Sequence, residues 1–151
     1  MAERLAKTAV LGLAAAVAAC VTGQPTTVRP ASGALTVAQL SATLPGQSLV
    51  MTRVDGSGGY CAWHSLEARP GGSRVLTGTD GGSPYRGLWR IEPQPNAESP
   101  ADPGFVCYSF PDAGVFAECR MLQVGETGVT VLDRYGRPYA TGALQPGDAC
   151  G

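Results

Sequence analysis

The sequence has one histidine, one lysine and no apolar run longer than about a dozen residues. Each shortage excludes something. A membrane-spanning helix needs about 20 consecutive apolar residues, so no stretch of the chain suits one. Any hydrolase with a histidine base would have to use His64, and no Gly-x-Ser-x-Gly elbow supplies a serine for it. No Cys-x-x-Cys occurs, and Cys61 with His64 is half of a zinc ligand set, so no metal is expected. Acidic residues stand singly rather than in pairs, and the glycine-rich TGTDGGSPYRG lacks the Gly-Lys-Ser/Thr ending of a phosphate loop. From these absences we expect no catalysis and no cofactor.

What is present starts at the N-terminus. Met1 to Lys7 carries Arg4 and Lys7 against Glu3, and Thr8 to Ala19 is uncharged and rich in Ala, Val and Leu. A basic segment followed by about a dozen apolar residues is the pattern of a secretory signal peptide. Val17, Ala18, Ala19 and Cys20 resemble the bacterial lipobox, which implies acylation of the Cys20 thiol and cleavage before it. One acyl chain, at about 0.8 kcal/mol per buried methylene, holds a protein only marginally, whereas two or three anchor it durably. Val21 follows, not Asp, and the resemblance then implies sorting to the outer membrane, on its periplasmic face. Taking Arg4, Lys7 and Glu3 from 11 basic and 12 acidic residues leaves the mature chain at about −2, with no basic footprint for nucleic acid.

Residues 1–19 are therefore read as a lipoprotein signal peptide, 20–34 as a disordered tether rich in Thr, Pro, Gly and Ser, and 35–151 as a disulfide-linked β domain. In that domain Thr36 and Gln39 form a capping box, and Leu35 and Leu40 a hydrophobic staple, for one short helix over Val37 to Thr43. After Gly46, short strands recur about every ten residues between glycine-rich turns: 48–54, 59–67, 74–79, 85–91, 105–110, 116–124, 129–134 and 138–143. This spacing predicts an all-β fold, a small antiparallel barrel or sandwich of about eight strands. Residues 93–104 hold four prolines and are expected to be a long, mobile, solvent-facing loop.

Setting Cys20 aside leaves four cysteines, an even number that suits a disulfide framework in an exported chain, with three pairings open. If residues 111–115 form a hairpin loop, Phe110 faces Phe116 and Cys107 falls opposite Cys119, within disulfide reach. Cys61 then pairs with Cys150. His64 reads as a polar strand position facing solvent, on the face opposite Cys61. Alternation puts Trp63 with Cys61 on one face and Trp89 with Tyr85 on one face. Core packing is the first expectation for both tryptophans, and they are also the candidate ligand-facing aromatics.

The segments YRGLWRIE and GFVCYSFPDAGVFAECR resemble the family of secreted bacterial proteins called domain of unknown function 995, over roughly residues 46–123. Gly87, Trp89, Cys107, Tyr108 and Cys119 fall on its pattern, while Cys61-Ala62-Trp63-His64 departs from it, and the resemblance implies no activity. VTVLDRYGRPYATGAL is similar to the closing strand pair of Inh-type periplasmic metalloprotease inhibitors, small eight-stranded barrels, although the cysteine spacing does not fit theirs. That likeness implies an inhibitory arm in residues 21–33. The expected function is an outer-membrane lipoprotein with a non-catalytic binding or structural β domain, monomeric and partnered by the membrane and an envelope protein; a protease inhibitor is the alternative.

Overall fold

The computed structural model describes residues 33–151. Cys20, the expected signal peptide and almost all of the expected tether lie outside that range. The fold begins as its local chemistry requires. Gln39 N–H donates to the Thr36 hydroxyl and Thr36 N–H to the Gln39 side chain, so the capping box satisfies two otherwise orphaned donors at the start of helix α1 (Val37–Thr43). Leu40 on this helix and Leu44 at its C-cap are fully buried against the interior of the sheet, with Leu35 packed beside them.

Eight antiparallel strands follow: β1 (Gln47–Arg53), β2 (Gly59–Ala68), β3 (Arg74–Asp80), β4 (Ser83–Pro93), β5 (Gly104–Phe110), β6 (Val115–Gly125), β7 (Gly128–Leu132) and β8 (Pro138–Pro146). Each pairs with the next, and β8 returns to β1, where Leu49 faces Leu144 and Arg53 faces Ala140. The sheet is thus a closed barrel, which leaves no unpaired edge. The chain reverses tightly where glycine permits it, as at Gly81 and Gly82, both at positive φ between β3 and β4.

Alternation divides the side chains between an inner and an outer face. Leu49, Met51, Ala62, Leu76, Trp89, Val106, Leu122 and Val131 fill the inner face toward the helix-covered end. A second, outer cluster joins Phe105, Cys107, Met121 and Leu132, with Ala34 packed on it. Both disulfides form as expected: Cys107–Cys119, from the hairpin register, and Cys61–Cys150, the pair left over, which draws the C-terminal tail over the outside of β1 and β2. There the Ser48 hydroxyl donates to the Gly147 carbonyl and accepts from Ala149 N–H.

The hairpin between β5 and β6 differs in detail from expectation. Phe110 faces Val115, not Phe116, so the loop is one residue shorter, and β6 carries one extra residue before Glu118 meets Tyr108. The two differences cancel, and Cys107 still falls opposite Cys119. Residues 94–103 form the exposed connection expected of them, organised by the Asp102 carboxylate, which accepts from the backbone N–H groups of Glu98 and Ser99.

Candidate functional site

The inner face is packed only part of the way along the barrel. Toward the other end, where the turns after β1, β3, β5 and β7 meet, the interior opens into a cup of about 540 Å³. That volume suits a small molecule, and the mouth of a β-barrel is a usual place for such a site. Ala62, Leu76 and Tyr108 form its floor.

Two aromatic pairs line it. On the β4–β5 side, Tyr85 and Phe110 meet edge to face, with ring centroids 5.6 Å apart. Glycines make this arrangement possible. A Cβ at Gly78 would lie 2.0 Å from the Cys61 carbonyl oxygen and 2.6 Å from the Tyr85 hydroxyl; one at Gly87 would lie 2.8 Å from the Phe110 ring. The bare backbone of Gly78 lets Tyr85 lie against the wall and donate to the Cys61 carbonyl at 2.8 Å.

Tyr60 of β2 and Tyr139 of β8 form the second pair, with centroids 6.3 Å apart. Tyr139 reaches the cup because β8 bulges: Val131 faces Ala140 while Leu132 faces Pro138, leaving Tyr139 as the extra residue. Arg53 donates from Nε to the Tyr139 hydroxyl at 3.1 Å and grips Asp80 through Nη1 and Nη2 at 2.9 and 2.6 Å. The Arg120 guanidinium lies 4.3 Å from the Tyr139 ring centre and pairs with Glu118. Both arginine side chains are only 16% exposed, whereas Asp80 and Glu118 are 51% and 46% exposed, so the carboxylates hold the guanidiniums from the solvent side of the rim. The hydrogen bonds to Asp80 and then to Tyr139 raise the Arg53 pKa, keeping it charged, and the Arg53 guanidinium lowers that of Asp80. Burial raises the phenol pKa values of Tyr60, Tyr85 and Tyr108, so all three remain neutral O–H donors at physiological pH.

Beneath the floor sits His64, and its placement corrects the solvent-facing expectation: the side chain is fully buried. The expectation took the Cys61 and Trp63 face of β2 for the interior. That face is the outer one, covered by the C-terminal tail, while His64 shares the inner face with Tyr60 and Ala62. His64 Nδ1 lies 3.2 Å from the Gln47 carbonyl, which can only accept, so Nδ1 carries the proton and Nε2 accepts from the Tyr108 hydroxyl at 3.1 Å. Burial lowers its pKa to about 4, so the ring is neutral. Cys61 points to the opposite face with its sulfur bonded to Cys150, so these two residues form no Cys–His dyad.

The tryptophans are not part of the cup wall. Trp89 is buried under the floor, packs edge-on against His64 at 5.1 Å and donates from Nε1 to the Ser65 carbonyl. Trp63 is half-buried on the outer face, and its buried Nε1 has no hydrogen-bond partner among the described residues. Tyrosines take the cup-facing positions instead, together with Arg53 and Arg120, to which the sequence reading assigned no role. The signal that could have found the walls is Gly78 and Gly87, glycines inside strands, which mark a close approach by something large. Glu92 lies beside Cys107 and Cys119, but those sulfurs are bonded to each other and offer no thiolate to a metal.

No protein-family model, curated protein or solved structure matches the chain.

Proposed function

We propose that this chain is a lipid-anchored protein of the bacterial outer membrane whose barrel is a non-catalytic binding module that takes a small molecule into its open end. The cup carries the reading: about 540 Å³ lined by two aromatic pairs, inside a barrel otherwise packed with apolar side chains. A barrel serving only as a spacer gains nothing from an unfilled interior, since unfilled volume in a core forfeits dispersion contacts. Export is supported by the signal-like leader and by two disulfides, which persist in oxidising compartments.

Intact mass of the protein from native membranes tests the anchor. The expected mass begins at Cys20, carries acyl groups and lacks four thiol hydrogens; a full-length, reduced mass overturns the reading. The second reading, a protease inhibitor, is favoured by the eight-stranded barrel that the Inh resemblance implies. Titration against secreted metalloproteases, with and without residues 21–33, separates the two: no inhibition at micromolar protein removes it.

A further inference from the structure

The cup has polarity as well as volume, and this allows its ligand to be specified further. A guanidinium carries five N–H groups. Arg53 commits three, one to Tyr139 and two to Asp80, and Arg120 commits its Nη2 to Glu118. The Tyr139 hydroxyl accepts from Arg53, which leaves its own hydrogen to donate, and the Tyr60 hydroxyl makes no hydrogen bond among the described residues. Arg53, Arg120, Tyr60 and Tyr139 therefore present an excess of donors at the mouth, and the two charged side chains among them are largely withdrawn from water. Withdrawn cations regain their lost solvation only from charged or strongly polar acceptors. Of the other lining groups, Tyr85 has spent its hydroxyl on the Cys61 carbonyl, Phe110 and Leu76 offer only carbon, and Ser83, Arg86 and Asp112 are exposed at the mouth.

Resting on the binding reading above, we infer that the cup takes an apolar, ring-bearing carboxylic acid. Its carboxylate lies against Arg53, Tyr139 and Arg120, and its ring against Tyr85, Phe110 and Leu76. Asp80 and Glu118 hold the two guanidiniums from outside and fix the direction of their remaining N–H groups. The polar end of the ligand thus sits at the rim, and its ring enters first.

The test uses two probes of nearly the same shape, 2-naphthoate and the neutral 2-naphthamide, in calorimetric titrations of the full chain at pH 7. The expected result is binding of naphthoate, with naphthamide weaker by about tenfold or more, the loss associated with a hydrogen bond to a charged group. Arg120→Gln and Tyr139→Phe, checked by circular dichroism, each narrow that ratio, and Ala62→Trp, which fills the floor, abolishes binding of both. Naphthamide binding within threefold of naphthoate, or an Arg120→Gln protein that keeps the full preference, overturns the carboxylate assignment and leaves the cup as a binding site. Failure of both probes to bind at millimolar concentration, or undiminished binding to a folded Ala62→Trp protein, overturns the cup reading itself. The comparison of probes on the unaltered chain requires no variant to fold.

Discussion

A single buried imidazole gives this protein a pH-dependent stability in the weakly acidic range. His64 is the only histidine, and burial holds its pKa near 4 in the fold against an ordinary value of 6.5. Between those values the unfolded chain binds a proton that the folded chain refuses, so the contribution of His64 to stability rises with pH from about 4 to 6.5 and is complete above. The whole effect is roughly 3 kcal/mol. Urea denaturation at pH 4.5 and 7 should show it, and His64→Gln should remove most of the slope; an equally steep slope in the variant would assign it elsewhere. Gly78 supplies a second residue-scale prediction. Gly78→Ala places a methyl group 2.0 Å from a backbone oxygen and crowds Tyr85, so it should lower stability by about 1–3 kcal/mol and weaken probe binding in the cup.

At the scale of elements, α1 is a stopper, and its strength depends on its cap. Thr36→Ala removes the hydroxyl that accepts from Gln39 N–H and should cost about 1 kcal/mol, read as a lower denaturation midpoint with an unchanged slope. The helix and the strands were legible in sequence because their signals are local: a capping box at Thr36 and Gln39, glycine turns, alternation within each strand. Closure was not legible. It depends on β1 meeting β8 across most of the chain, a pairing that no local pattern encodes, so barrel and sandwich remained equal. The site was less legible still. Alternation assigns Trp63 and His64 to opposite faces of β2 but does not say which face becomes the interior, and the tail bonded at Cys150 buries part of the outer one. The bulge that turns Tyr139 inward is an accident of pairing between Leu132 and Pro138, invisible until the strands are docked.

For the molecule as a whole, the two disulfides hold different things. Cys61–Cys150 spans 89 residues and Cys107–Cys119 spans 12, so the chain-entropy model assigns the first about 4.5 and the second about 3 kcal/mol. Replacing each pair by serine should destabilise in that order, the first also baring the Ser48 side of β1; the reverse order in thermal denaturation would show that native contacts, not loop length, decide. The direction of the barrel has its own consequence. The described chain enters beside Leu122 and Gln123, at the end α1 closes, and the cup opens at the far pole. For a chain acylated at Cys20, the anchor would attach on the stoppered side and leave the mouth of the barrel unobstructed by it, as in a moored vessel open at the top.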